Sequence, residues 1–258
     1  MNLMTKKLIL KIANLFSLLW LLIPSKIRKF IFTSFFVLES RGPNTSNGLI
    51  RLFKLKSNLE WVINERSIAY DKGIHPKHRL TNYHDFFIDR VNDGELILDV
   101  GCGQAIVAAS IASVRRNSLV IGIDINEENI RKGKNLINTK KLKNVELIFG
   151  DVNDQRELKV DKVIISNVLE HIENRVEFIE NLKLITKAKY FLIRVPLFER
   201  NWQIPLMKEL GINYFSDNDH KIEHSIVEFK KEMSDSKLKI KEMQTLWGEI
   251  WVSCINEQ

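Results

Sequence analysis

From residue 95 onward, short apolar runs alternate with segments of helical spacing, and this alternation limits the possible folds more than any other feature of the chain. Strands that alternate with helices form a mostly parallel sheet covered on both faces. The sequence therefore predicts an α/β fold with a seven-stranded, mostly parallel sheet and helices on both faces. The predicted strands are residues 95–100, 119–124, 145–149, 160–166, 190–195, 238–243 and 250–254, and the predicted helices include residues 105–114, 175–186 and 222–233.

Two glycines follow the first predicted strand, where parallel sheets bind their ligands. Ligands of such sheets lie beyond the carboxyl ends of the strands. Gly101 and Gly103 let the backbone turn tightly and approach a ligand closely, which a Cβ would prevent. The dinucleotide fingerprint G-x-G-x-x-G needs a third glycine where this chain has Ile106, so a nicotinamide-dependent oxidoreductase is only an alternative.

Carboxylates end the second predicted strand and follow the third one. Asp124 lies about 20 residues beyond the glycine turn, where an acidic side chain can accept hydrogen bonds from both hydroxyls of a ribose. Its alternative role is to cap the helix that begins near residue 126. Asp151, in Gly150-Asp151-Val152, is placed to accept an adenine amino proton or, alternatively, to act as a turn residue.

Four segments resemble, in order, the motifs of the class I methyltransferases that use S-adenosylmethionine. They are Leu98–Gly103, Ile121–Asp124, Phe149–Val152 and Asp161–Ile172, the last of which includes the Leu169-Glu170-His171 common in the small-molecule branch. The chain is thus similar to the small-molecule and polysaccharide-associated branch of this family. The resemblance implies a Rossmann-like fold, S-adenosyl-L-methionine as the cofactor and methyl transfer as the reaction. The first motif commonly has a third glycine where this chain has Ala105, a mild departure expected to tighten the turn.

The resemblance also implies which residues bind the cofactor. Asp99 and the turn around Cys102 would line the methionine end, with Asp99 reaching the ammonium group. Asp124 would hold the ribose, Ile125 would pack on the adenine, and Asn167 would lie near the sulfonium. The implied cofactor-binding set is Asp99, Gly101, Cys102, Gly103, Asp124, Ile125, Asp151, Val152 and Asn167.

A segment rich in histidines and cations, residues 73–84, precedes the first motif. It resembles the segment that closes over the cofactor in polysaccharide-associated methyltransferases, which makes Arg79 the candidate partner of the cofactor carboxylate. Alternatively, it is a solvated basic loop. His75, His78 and His84 are not assigned as metal ligands, because no carboxylate or cysteine falls at ligand spacing near them. The sequence therefore predicts no metal site.

Two histidines are candidates for a catalytic base if the methyl acceptor is a hydroxyl group. A base near the methyl group must then remove the hydroxyl proton, and histidine is suited to this near neutral pH. His171 follows the fourth predicted strand and is the first candidate. His220, in Asp217-Asn218-Asp219-His220, resembles the substrate-facing histidine of the family and is the second. Either could instead cap a helix or lie in the core, and a carboxylate or thiolate acceptor would need no base.

The first 38 residues combine apolar runs with cations. Residues 8–23 are interrupted only by Lys11, Asn14 and Ser17, which would form one polar stripe on a helix. The run is shorter than the roughly 20 apolar residues of a spanning helix. Its flanking cations favour a helix that lies in the interface of an anionic membrane. A signal peptide, a core or dimer helix and a true span are the alternatives.

Charge is unevenly distributed along the chain. Residues 1–90 carry 15 Lys and Arg against 6 Asp and Glu, whereas residues 91–258 carry 24 against 26. The basic front half predicts an anionic partner, and the apolar runs favour a membrane surface over nucleic acid. Residues 40–60 are rich in helix- and strand-breaking residues and predict a loop. The predicted domains are an N-terminal helical segment with a linker, residues 1–60, and a methyltransferase domain, residues 61–258.

These features predict a methyltransferase (EC 2.1.1.-) whose acceptor atom is oxygen. A glycan, a lipid-linked sugar, a lipid and a small metabolite all fit as the acceptor. Cys102 and Cys254 give no disulfide framework, and together with a cofactor made in the cytoplasm they predict a cytoplasmic enzyme on the inner face of the membrane. A nonenzymatic cofactor-fold module at a membrane is a further alternative, disfavoured by the intact glycine turn and Asp124.

Overall fold

The computed structural model describes residues 3–73 and 75–257, which form two compact units that divide between Arg66 and Ser67. The first unit contains helices α1 (Leu3–Leu22) and α2 (Ser25–Ser40) and most of helix α3 (Thr45–Tyr70). Large apolar side chains on α1 and α2 are exposed. The N-terminal segment is thus helical and apolar, as predicted. Among the residues described, no helix is both long and apolar enough to cross a membrane.

The predicted loop at residues 40–60 is wrong, because most of that range belongs to α3. The polar residues that suggested a loop instead start the helix: the Asn44 side chain accepts a hydrogen bond from the Asn47 backbone N–H at 3.1 Å. Gly48 lies where a Cβ would collide with the Ser40 carbonyl oxygen, so it permits close approach of the chain to the end of α2. Arg51 donates hydrogen bonds to the carbonyls of Glu39 and Arg41, which ties the first turns of α3 to the same bend.

The second unit alternates strands and helices, as predicted from residue 95 onward. Its helices are α4 (Lys77–Thr81), α5 (Asp85–Ile88), α6 (Ile106–Val114), α7 (Glu127–Lys140), α8 (Arg175–Thr186), α9 (Gln203–Glu209) and α10 (Ile226–Asp235). Its strands are β1 (Leu96–Val100), β2 (Leu119–Asp124), β3 (Val145–Phe149), β4 (Lys162–Ser166), β5 (Tyr190–Pro196), β6 (Leu238–Leu246) and β7 (Glu249–Asn256). The predicted helix at 222–233 begins later, at Ile226, because Ser225 and Glu228 form a reciprocal capping box there.

The seven strands form one sheet in the order β3-β2-β1-β4-β5-β7-β6, parallel except where β7 pairs with β5 and β6. Apolar residues of each strand alternate between two cores. Ile97 and Ile164 pack in the core that includes α6, whereas Leu98 and Val163 pack in the core that includes α8 and α10. Helices therefore cover both faces, and the predicted fold class is confirmed.

The chain order reverses between β1 and β4, and this places two loops side by side. β1 and β4 are hydrogen-bonded neighbours, with Val100 opposite Ile165. The loops that leave their carboxyl ends run in opposite directions, which opens a crevice between them. The loops are close enough that a Cβ on Gly101 would lie 2.5 Å from the side chain of Val168, so the position requires glycine. Residues predicted from separate motifs thus meet at one edge of the sheet.

Candidate active site

A pocket of about 450 Å³ opens at the carboxyl ends of β1 to β4, where the strand order predicts a ligand site. Small-molecule sites commonly have volumes of roughly 300–1,000 Å³. Eight residues predicted from the sequence line this pocket: Gly101, Gly103, Asp124, Ile125, Asp151, Val152, Asn167 and His171. Asp99, Cys102, Arg79 and His220, which were also predicted, are not among its lining residues.

The glycine turn after β1 uses left-handed backbone conformations that favour glycine. Gly101 has φ +62° and Gly103 has φ +54°. A Cβ on Gly103 would meet no atom within 4 Å, so the space beside this residue is open to a ligand. Ala105 occupies the cap position just before α6 with φ +59°, a conformation that costs about 1–2 kcal/mol for a residue with a Cβ. The missing third glycine of the motif is therefore accommodated at a modest cost in stability.

Asp124 connects the glycine turn to the end of β2. One carboxylate oxygen accepts a hydrogen bond from the Gly103 backbone N–H at 2.7 Å, and the other accepts one from the Asn126 backbone N–H at 2.8 Å. The alternative role of Asp124 as helix cap is taken by Asn126, whose side chain accepts from the backbone of Glu128 and Asn129. Asp124 is buried but lines the pocket, so its carboxylate both fixes the turn and faces the candidate ligand space.

Asp99, in β1 just before the glycine turn, is fully buried. Burial raises the pKa of its carboxyl to about 7; a hydrogen bond from the backbone of Ala108 opposes this shift, and the nearby Asp124 carboxylate reinforces it. Within the described chain, its Oδ2 atom has no hydrogen-bond partner. A buried, unpartnered carboxylate oxygen is costly, and it marks a place where a cationic ligand group would be stabilised.

The residues predicted near the adenine also line the pocket. Ile125 is 75% exposed although it is apolar, and it lies on the pocket wall. Val152 is buried beside the same pocket. Asp151 accepts hydrogen bonds from the backbone and side chain of Asn153 at 2.8 and 2.9 Å, as the alternative turn role describes. Its presence on the pocket wall also keeps the adenine role open.

Asn167 has φ +56° and is held in place by a buried arginine that the sequence reasoning did not identify. Arg194, within β5, donates a hydrogen bond from Nε to Asn167 Oδ1 at 3.0 Å. Its guanidinium lies over the rings of Tyr83 and Trp251, 4.3 and 5.1 Å from their centroids, and 3.7 Å from Glu249. A cation inside an otherwise apolar strand was the available sequence signal.

The two predicted histidines lie together, each beside a carboxylate. Their rings meet edge to face with centroids 4.6 Å apart. His171 Nδ1 lies 3.2 Å from Asp219, and both residues line the pocket. His220 Nδ1 lies 3.1 Å from Glu223. Burial alone lowers the pKa of His220, but the hydrogen bond to Glu223 and the charge of Glu170 raise it above its ordinary value.

Glu170 lies beside the same histidines and was not predicted as a functional residue. Its side chain is fully buried, and burial raises its pKa to about 7. Neither of its carboxylate oxygens has a hydrogen-bond partner among the described residues. The Leu-Glu-His segment was visible in the sequence, but its proximity to His220 was not, because His220 lies 49 positions after His171. Only the tertiary structure joins these groups.

Two other predicted residues, Arg79 and Cys102, and two histidines of the segment at residues 73–84 have different surroundings. Arg79 is exposed and lies 3.5 Å from Asp71, as expected for the alternative of a solvated basic segment. Cys102 is buried in the glycine turn, where its backbone N–H donates to the Ile123 carbonyl. His78 and His84 form hydrogen bonds to Tyr83 and Ser110, respectively. The roles of Arg79 and Cys102 in cofactor binding stay predictions.

Comparison with known proteins identifies the family. Residues 91–252, more than half of the chain, match a family model described as a methyltransferase domain. A segment of 102 residues is 29% identical to a probable (S)-tetrahydroprotoberberine N-methyltransferase 2 from Papaver bracteatum, covering 38% of this chain and 28% of that protein. Another segment, of 105 residues, is 33% identical to ribosomal protein L11 methyltransferase from Acetivibrio thermocellus, covering 39% of this chain and 33% of that protein. The chain thus spans about a third or less of the length of these relatives.

Solved structures share the fold at low sequence identity. Magnesium protoporphyrin IX methyltransferase from Synechocystis PCC 6803 with bound SAH has a TM-score of 0.56 and 17% identity, covering 70% of this chain and 83% of that one. A SAM-dependent methyltransferase from Aquifex aeolicus has a TM-score of 0.54 and 18% identity, covering 70% and 93%. With the family match and the motif-bearing pocket, these likenesses confirm the resemblance read from the sequence: the chain belongs to the methyltransferase domain family, of the class I, S-adenosylmethionine-dependent kind.

Proposed function

We propose that this protein transfers a methyl group from S-adenosyl-L-methionine to an oxygen atom of a small-molecule or glycan acceptor. The observation that carries the proposal is the pocket at the reversal of strand order, whose wall combines an open glycine turn with two carboxylates, Asp124 and Asp151. The similar proteins include enzymes named as N-methyltransferases, so nitrogen is the second candidate for the acceptor atom. The histidine and carboxylate pair on the pocket wall favours oxygen, because a hydroxyl must lose a proton.

The residues present fit this cofactor. The buried, unpartnered oxygen of Asp99 suits the ammonium group of the methionine moiety. The open space beside Gly103 admits a ligand close to the backbone, as the glycine turn of this family is expected to do. Asp124 offers a carboxylate to ribose hydroxyls, and the exposed apolar Ile125 offers a surface for the adenine.

The chain's own residues would align the acceptor and take its proton. When bound, the cofactor supplies a methyl group that its sulfonium already makes electrophilic. Positioning of the acceptor can then provide much of the rate acceleration. Asp219 would hold the His171 ring through Nδ1, which leaves Nε2 free to accept the hydroxyl proton.

Calorimetric titration of the full chain with S-adenosylmethionine and, separately, with NADH tests the proposal. We expect saturable binding of S-adenosylmethionine and none of NADH. If the folded protein binds no S-adenosylmethionine at millimolar concentration, the proposed function is wrong. Mass spectrometry of metabolites and glycans from cells with and without the protein would then identify the methylated product. A product methylated on nitrogen would contradict the choice of oxygen.

We further propose that residues 1–38 attach the enzyme to an anionic membrane surface on the cytoplasmic side. The support is an exposed apolar surface beside cations. Leu15, Leu18 and Leu22 on α1 are 73%, 77% and 79% exposed. Lys6 and Lys7 lie in the first turns of this helix, and further cations follow it in α2. Amphipathic helices with this composition bind at the level of the headgroups.

Flotation of the full chain with vesicles tests this attachment. Each buried leucine contributes about 1.5–3 kcal/mol. The double variant Leu15→Glu, Leu18→Glu should therefore partition at least about tenfold less onto anionic vesicles. The matched control is Val227→Glu, which adds a charge at a similarly exposed apolar residue of α10 and should float like the unmodified protein. Equal flotation of all three proteins would refute the attachment.

A further inference from the structure

We propose that Glu170, His171 and His220 form a binding site for a divalent transition-metal ion at the border of the pocket. One ligand atom from each of these three side chains can be chosen so that all lie within 4.8 Å of one another. His171 lines the pocket, so an ion held by this cluster would face the ligand space. Two imidazoles and one carboxylate form a donor set that binds Zn²⁺ and related ions while leaving coordination positions open.

The state of Glu170 is the observation that points most directly to a ligand. Its side chain has no accessible surface, yet neither carboxylate oxygen has a hydrogen-bond partner in any other described residue. Buried carboxylates are normally hydrogen-bonded, paired with a charge or bound to a metal. The two imidazoles beside Glu170 are the neighbours that a shared cation would need.

Each histidine has one ring nitrogen beside a carboxylate, a feature that metal-binding histidines share. A ligating histidine usually donates its other ring N–H to a carboxylate, which fixes the tautomer and the ring position. His171 Nδ1 lies 3.2 Å from Asp219, and His220 Nδ1 lies 3.1 Å from Glu223. Donation from His220 Nδ1 to Glu223 leaves the lone pair of Nε2 on that ring for an ion, and the Asp219 carboxylate beside His171 Nδ1 would favour the same tautomer there.

The carboxylate behind His220 is itself fixed. Glu223 is buried and accepts hydrogen bonds from Arg200 at 2.5 Å and from the Ser216 backbone N–H at 2.6 Å. The loop that carries His220 is joined to the turn that carries the other two ligands, because the Lys221 backbone N–H donates to the Glu170 carbonyl at 2.7 Å. These hydrogen bonds hold the backbone and the outer carboxylate of the cluster in place.

The proposed ion would also change how the acceptor is activated, a consequence that rests on the proposed function. A bound divalent ion lowers the pKa of a coordinated hydroxyl or water. With the ion in place, His171 would act as a ligand and the ion would promote loss of the acceptor proton to solvent. Metal binding itself requires no methyl transfer, so the site can be tested even if the proposed reaction is wrong.

The test uses the full chain after treatment with a chelator. Titration calorimetry with Zn²⁺ and visible absorption with Co²⁺ should show one saturable site, with a Co²⁺ ligand-field band typical of nitrogen and oxygen ligands. Loss of an outer carboxylate partner typically costs about 10–100-fold in metal affinity, so Asp219→Asn should fall in that range. Glu170→Gln and His220→Gln remove ligands and should each weaken binding by at least about 100-fold. His78→Gln is the control, because it removes an imidazole outside the cluster.

Three results would overturn the proposal: no saturable binding of Zn²⁺ or Co²⁺, binding of Mg²⁺ alone, or binding that survives both ligand substitutions. Circular dichroism checks that each variant folds. If Glu170→Gln does not fold, the Co²⁺ spectrum of the unmodified chain and the His220→Gln variant decide the question. Affinity for S-adenosylmethionine, measured in parallel with and without chelator, separates failure of the metal site from failure of the proposed function.

Discussion

Asp124→Ala should weaken the binding of S-adenosylmethionine by about 2–4 kcal/mol, which corresponds to roughly 30- to 700-fold in the dissociation constant. The substitution removes a carboxylate that lines the pocket and is expected to accept hydrogen bonds from both ribose hydroxyls. It also removes the acceptor that holds the Gly103 backbone N–H at 2.7 Å, so the glycine turn would lose part of its support. Both losses act in the same direction. Titration calorimetry measures the change.

Two further variants separate the possible causes of this loss. Asp124→Asn keeps the shape of the side chain and one acceptor oxygen, and we expect an affinity between those of the unmodified protein and Asp124→Ala. Asp154→Ala is the control, because it removes an exposed carboxylate outside the pocket lining and should leave the dissociation constant unchanged. An unaltered affinity in Asp124→Ala would show that this residue serves only the backbone of the turn.

His171→Ala should lower kcat by roughly 100-fold or more while leaving the affinity for S-adenosylmethionine almost unchanged. The expectation follows from the position of His171 on the pocket wall and from its pairing with Asp219 at 3.2 Å. A base contributes to proton removal in the transition state, whereas the proposed cofactor contacts lie at the glycine turn and the end of β2. Single-turnover kinetics together with cofactor titration distinguish these effects.

His220→Ala is the decisive comparison for this assignment. If His220→Ala alone causes the large loss of turnover, His220 is the base and His171 is not. If both variants lose activity and chelation of the unmodified enzyme does so too, the two histidines act through a bound ion. Asp219→Asn should reduce turnover less than His171→Ala, because it changes the orientation of the ring rather than removing the ring.

Local sequence features were sufficient to predict the central part of the fold. The strands at residues 119–124 and 145–149 and the helix at residues 175–186 were predicted with their observed bounds. Uninterrupted apolar runs indicate buried strands, and helical spacing of apolar residues indicates a buried helix face. Both signals depend only on residues that are close together in the chain. Gly101 and Gly103 were identified for the same kind of reason: their positive φ angles are a local backbone requirement.

Prediction from local features was wrong where the same residue types occur in two kinds of structure, loops and helix starts. The polar residues after position 43 resembled a loop, yet Asn44 and Gly48 start α3 and allow it to pass close to Ser40. Asn, Ser and Gly are common both in loops and at helix starts, because each can satisfy or expose backbone N–H groups. Their role at a given position is set by the helical propensity of the downstream residues and by the backbone that the segment must approach.

The sequence by itself determined the family, the sheet and the residues at the carboxyl ends of the strands. It could do so because motifs and hydrophobic periodicity involve residues that are close together in the chain. Only the tertiary structure decided which of those residues line the same pocket. It placed Arg194 behind Asn167 and brought His220 to Glu170 and His171. It also paired Arg79 with Asp71, away from the pocket lining. Such contacts join residues far apart in the chain, and they arise from the order in which strands pair rather than from any local preference.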